Sequence, residues 1–161
     1  MTARILLVEP HRGALGVMAQ RLRDECYRII AAESATAAVP ELYRAPVDLV
    51  ISELRMNGMS GVELTRLIRD DTVLKDTPVI LITGRTDATG AVDALGAGAD
   101  DVVAKPFDFE VLVARIERGL RRARAVRELR DDNAALDARV VERALQVNEL
   151  KAELDALKRV S

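Results

Sequence analysis

Aromatic side chains are nearly missing from this chain. It has no tryptophan, two tyrosines and two phenylalanines among 161 residues. With 49% hydrophobic residues a real core is available, but it must be aliphatic. There is one cysteine, Cys26, which excludes a disulfide framework and a thiol metal cluster. Its helical spacing from Leu22 predicts a buried structural thiol. No long hydrophobic run occurs. The opening "MTARILLVEP" is too short for a signal peptide or a membrane span, so a cytoplasmic protein with no membrane partner is expected. Neither charge sign dominates. With 24 Lys and Arg against 26 Asp and Glu, the net charge of −2 gives no strong pull towards nucleic acid or anionic lipid.

Three continuous apolar runs are present: Ile5-Leu6-Leu7-Val8, Leu49-Val50-Ile51 and Val79-Ile80-Leu81-Ile82. Continuous rather than alternating runs fit strands buried on both faces of a parallel sheet. Ile29-Ile30 and Val102-Val103 supply two shorter candidates. Helical spacing appears between them: at Leu15, Met18, Ala19 and Leu22, over 35–43 with Pro40 as a weak point, over 62–69 and over 87–95. The glycines of Gly96-Ala97-Gly98 should end the last of these. Strand and helix thus alternate five times, which predicts an α/β fold with a doubly wound five-stranded parallel sheet.

In such sheets the ligand site lies beyond the carboxyl ends of the strands. The residues there are Glu9, Glu53, Thr83 and Lys105. Two acids, a hydroxyl and an ammonium suit a hard divalent cation and a phosphoryl group. His11 lies nearby, and its spacing favours a solvated residue in the first helical turn over a metal ligand.

The pieces "ILLVE", "DLVISELRMNGMSGVEL", "PVILITG" and "GADDVVAKPF", in this order and spacing, resemble the receiver domain of bacterial two-component response regulators over roughly residues 3–122. The resemblance implies a flavodoxin/CheY-like fold. It places Glu53 at the phosphoacceptor aspartate. Glu9 falls in the acidic pocket that holds magnesium, and Thr83 and Lys105 fall on the switch hydroxyl and the phosphate-contacting lysine. It also implies a cis bond at Lys105-Pro106. Several residues depart from the family. Pro10 stands where a second acid is usual, and Val102 where a rotating aromatic is usual. Asn57 and Ser60 are lesser departures. Glu53 carries its oxygens on the order of 1 Å too far for in-line attack, a misplacement that is costly in catalysis. Together these predict a pseudo-receiver that is not an enzyme, with Mg²⁺ binding weak or absent. Glu53 would pair with Lys105 and the Thr83 hydroxyl as a partial phospho-mimic. A carboxylate carries one charge where phosphate carries nearly two.

Beyond the receiver-like part, 1–122, nothing after Gly119 stops the last helix, expected to begin near Asp108. From Val126 a heptad register holds over 123–161. The a positions are Val126, Asn133, Val140, Val147 and Leu154; the d positions are Leu129, Leu136, Arg143, Leu150 and Leu157. β-Branched a and leucine d residues favour a parallel two-stranded coiled coil, with Asn133 fixing register. A homodimer is expected. An arginine run, Arg115, Arg118, Arg121, Arg122, Arg124, Arg127 and Arg130, reads as a solvated helix face. Neighbouring acids and the lack of aromatics argue against nucleic acid or a cyclic dinucleotide.

The expected function is a phosphorylation-independent, dimeric protein-binding module in two-component signal transduction. Its partner would be a protein such as a histidine kinase or another regulator. Family practice places that contact near residues 87–95 and 101–104. Two alternatives stay open: a phosphorylation-switched receiver in a phosphorelay, and the N-terminal sensory half of a larger cyclic di-GMP or kinase protein.

Overall fold

The computed structural model describes residues 2–161. The elements are β1 (Arg4–Val8), α1 (Arg12–Asp24), β2 (Arg28–Ala32), α2 (Ala35–Arg44), β3 (Leu49–Glu53), α3 (Gly61–Asp70), β4 (Val79–Thr83), α4 (Ala88–Gly96), β5 (Asp101–Ala104) and α5 (Phe109–Val160). The strands form one parallel sheet in the order β2-β1-β3-β4-β5. Chain direction along the sheet reverses between β1 and β3, so the crevice for a ligand opens beyond the ends of these two strands.

The apolar runs are continuous because each strand feeds two cores. Leu6, Val50 and Leu81 pack with Leu42, Leu64, Ile68 and Ala94 of α2, α3 and α4. Ile5, Leu7, Ile51, Ile80 and Ile82 pack on the other face with Leu15, Ala19 and Leu22 of α1 and Leu112, Ile116 and Leu120 of α5. Hardly any of these side chains touches water. Full burial of each contributes roughly 1.5–3 kcal/mol.

Local signals set the helix ends. Ser34 Oγ accepts from Ala37 N and starts α2, and Pro40 sits inside that helix. The proline removes the partner of the Thr36 carbonyl, but Thr36 is exposed and water can take its place. Ser60 and Glu63 form a reciprocal capping box at the start of α3. At the end of α4, Gly98 N donates to Leu95 O and Ala99 N to Ala94 O, closing the helix at a left-handed residue, Gly98 (φ 99°).

The same closure ends α1, but there the left-handed residue is Cys26 (φ 65°). Cys26 N donates to Arg23 O and Tyr27 N to Leu22 O. Cys26 is therefore exposed, not a buried thiol. The spacing from Leu22 predicts burial only if the helix continues, and α1 stops at Asp24.

The amino ends of the strands are fastened by side chains bound to backbone. Asp48 Oδ2 accepts from Arg4 N at 2.8 Å. The Arg69 guanidinium donates to the carbonyls of Gly98, Lys75 and Thr77 and to Asp100, whose Oδ2 also accepts from Val79 N.

The chain divides into two compact units, Met1–Ala123 and Arg124–Ser161. The second is helical through Val160, and apart from the half-buried Val126 its side chains are exposed. No helix among the described residues is long and apolar enough to cross a membrane.

Replacing Cys26 by glycine should raise unfolding stability by roughly 0.5–1 kcal/mol, because glycine adopts the left-handed conformation without a Cβ clash. Urea denaturation reads this directly. A loss of stability would mean that the cysteine side chain makes a contact worth more than the strain.

Candidate functional site

Four strand ends build the site. Glu9 follows β1, and its backbone N donates to Ala32 O. Its side chain is buried, at 5% exposure. Glu9 Oε1 accepts from His11 N at 2.9 Å. Glu53 ends β3, and its backbone is held close to α3. A Cβ on Gly61 would lie 2.4 Å from Glu53 O, so only glycine lets the helix start there. Thr83 ends β4 and is buried. Lys105 follows β5, its backbone N donates to Thr83 O, and the Lys105-Pro106 bond is cis.

The side chains converge on one ammonium. Lys105 Nζ lies 2.7 Å from Glu53 Oε2 and 3.5 Å from Glu9 Oε2. Glu53 Oε2 is buried and meets the ammonium off the hydrogen-bonding direction; no aligned donor reaches it. Burial pushes the Glu53 carboxyl above its ordinary 4.5. Lys105 opposes that shift and the nearby Glu9 adds to it. Burial pulls Lys105 down, but its pairing with Glu53 and then Glu9 outweighs that, and the ammonium ends above its ordinary 10.5.

The Thr83 hydroxyl turns elsewhere. It donates weakly to Gly84 O at 3.4 Å, so the expected pairing with Glu53 is replaced. Asp87 caps α4 by accepting from Gly90 N at 2.9 Å. It also takes a two-pronged pair from Arg55, with Arg55 Nη2 at 2.8 Å from Asp87 Oδ1 and Nε on Oδ2. Hydrogen bonds from Arg55 first, and then from the Gly90 amide, hold the Asp87 carboxyl below its ordinary 3.8. Glu53, Arg55, Gly84, Thr86 and Asp87 line an open cleft of about 410 Å³.

Other sequence candidates fall outside this cluster. Val102 packs half-buried against the core on the α2–α4 side. His11 caps α1, its Nδ1 accepting from Ala14 N at 3.1 Å. Of the arginine run, Arg115 and Arg118 are both bound to Asp101 on β5, and Arg121 reaches Glu117 at 4.0 Å. The Arg55–Asp87 pair was not read from the sequence. Asp87 just before an apolar helix is a legible cap signal, but nothing in the spacing points to Arg55. The Ser60-x-x-Glu63 box was also not read, although a serine three residues before a glutamate is a capping signal.

With this geometry in hand, the relatives are informative. Residues 5–117 match the family described as response regulator receiver domain. The chain belongs to that family. This receiver is 36% identical over 121 residues to the transcriptional regulatory protein YvrH of Bacillus subtilis, covering 74% of this chain and 50% of YvrH. It is 36% identical over 118 residues to the response regulator ArlR of Staphylococcus epidermidis, covering 73% and 52%. The receiver thus spans about half the length of these relatives. Among solved structures it resembles a putative response regulator from Chloroflexus aurantiacus, with a TM-score of 0.72 and 26% identity over 74% of this chain and 98% of that one.

The family implies magnesium, and the residues here do not fit it well. Mg²⁺ takes six oxygens in near-ideal octahedral geometry. Among the described residues no three His, Cys, Asp or Glu side chains gather as ligands. Pro10 offers no side-chain oxygen, and the two converging carboxylates already share an ammonium.

The raised Glu53 carboxyl gives a pH test. The folded protein holds the Glu53 proton at pH values where the unfolded chain has released it, so folding is favoured on the acid side. Unfolding stability of the wild type, relative to Glu53→Gln, should fall as pH rises above 4.5 and level off beyond the folded value. A difference that grows with pH would mean Lys105 outweighs burial.

Proposed function

We propose that this receiver is a pseudo-receiver: a phosphorylation-independent signalling module that binds another protein and works as a dimer. The observation that supports this best is the Lys105 ammonium seated between Glu53 and Glu9. In a phosphate-cycling pocket that lysine would meet a phosphoryl oxygen. Here a carboxylate on the chain already sits there, so one arrangement is held without a ligand. Glu53 is then a built-in, partial mimic of a phosphorylated aspartate, and Val102 leaves the pocket without an aromatic reporter. The partner is a protein such as a histidine kinase or another regulator.

The dimer reading rests on the second unit. Leu129, Leu136, Val140, Val147, Leu150, Leu154 and Leu157 recur at heptad spacing and are all exposed. Such a stripe is the seam of a coiled coil. In a parallel pair, Glu153 faces Lys158 of the second copy, while Asp132 faces Asp137. Asn133 meets its own copy in an a layer. Arg143 meets its own copy in a d layer, which weakens the pair there.

Two measurements test this reading. In the first, wild type and a Glu53→Asp, Pro10→Asp double variant are titrated with Mg²⁺ and then beryllofluoride, a phosphoryl mimic, while amide NMR shifts are followed near residues 53, 83 and 105. The wild type should stay silent while the double variant responds. A wild-type response at millimolar magnesium or below would make this a phosphorylation-switched receiver.

In the second, sedimentation equilibrium should find a dimer. Leu136→Glu with Leu150→Glu should give a monomer, and Arg143→Leu should tighten association by about tenfold or more. An unchanged dissociation constant for Arg143→Leu would remove residue 143 from the seam.

A further inference from the structure

The Arg55–Asp87 pair joins two loops that leave the neighbouring strands β3 and β4. Arg55 lies just past Glu53 in the loop between β3 and α3. Asp87 ends the loop between β4 and α4 and caps α4. The pair sits on the rim of the cleft that Glu53 lines. Two further features show that the contact is built in. The guanidinium engages both carboxylate oxygens, the aligned geometry that gives an exposed pair a measurable effect. Gly90 makes room for it, since a Cβ there would lie 2.4 Å from Asp87 Oδ2 and 2.7 Å from Cγ.

We propose that Arg55 and Asp87 form a latch across the mouth of the Glu53 cleft, fixing the first turn of α4. The latch deepens the pseudo-receiver reading by adding a second control point on the same site. Lys105 fixes Glu53 from inside, while the latch fixes α4 from outside. The outer pair is the more open of the two, with the Arg55 side chain 68% exposed against 41% for Lys105, so ionic strength or a partner's acidic group competes more with the outer pair. The position of α4 is therefore governed from the surface and not by the occupant of the pocket.

Amide hydrogen exchange along α4 tests the latch, using the full chain. Arg55→Ala removes the pair and leaves the cap. Asp87→Asn keeps a capping oxygen but loses the charge. Gly90→Ala crowds the carboxylate out. Each should speed exchange of the Ala91 and Val92 amides by about two- to fivefold, the range an exposed pair can hold. Raising salt to about 1 M should speed wild-type exchange to match. Lys105→Met should leave these amides unchanged. The latch is overturned if Arg55→Ala leaves α4 exchange as in the wild type, or if Lys105→Met speeds it as much as Arg55→Ala does. No phosphate or magnesium enters this experiment, so its failure is distinct from failure of the pseudo-receiver reading, which the beryllofluoride titration decides.

Discussion

One ammonium between two carboxylates governs this receiver. Lys105 enters from the end of β5, and Glu53 and Glu9 from the ends of β3 and β1. Two acids this close would repel each other and drive protons onto one of them. The lysine prevents full charge clash while burial still lifts the Glu53 carboxyl. Removing the lysine would leave two buried acids facing each other, and removing Glu53 would leave Lys105 with the more distant Glu9.

The sheet makes that convergence automatic. With β1 and β3 adjacent and β4 and β5 following, residues at the end of each strand or one step past it must meet at the same edge. The aliphatic cores on both faces hold the strands in register, so the position of each functional side chain follows from strand register more than from loop shape. Gly61 shows how tight this is, since α3 begins against the carbonyl of Glu53 itself.

The fold was legible because the apolar runs are short, continuous and evenly spaced, and because aliphatic strands buried on both faces leave no other pattern. The gathering of Glu9, Glu53 and Lys105 followed from the same spacing. Three things were not legible. The Thr83 hydroxyl turns to the Gly84 carbonyl, a backbone acceptor that no pattern of side chains marks. Arg55 and Asp87 are 32 positions apart and meet on the surface, where no hydrophobic period marks a contact. Cys26 carried a helical spacing that the backbone abandons two residues earlier, and a left-handed cysteine leaves no trace in a pattern of apolar residues.

The two ends of the sheet are fastened differently. At the amino ends Arg69, Asp100 and Asp48 bind mainly backbone carbonyls and amides, which every sequence provides. At the carboxyl ends the ties run from side chain to side chain, Lys105 to Glu53 and Arg55 to Asp87. Backbone-anchored ties persist when their neighbours are replaced, whereas side-chain ties change with each substitution. The structural half of the domain and the chemical half can therefore vary separately. A lineage can rewrite what the pocket does, residue by residue, on a scaffold that stays folded throughout.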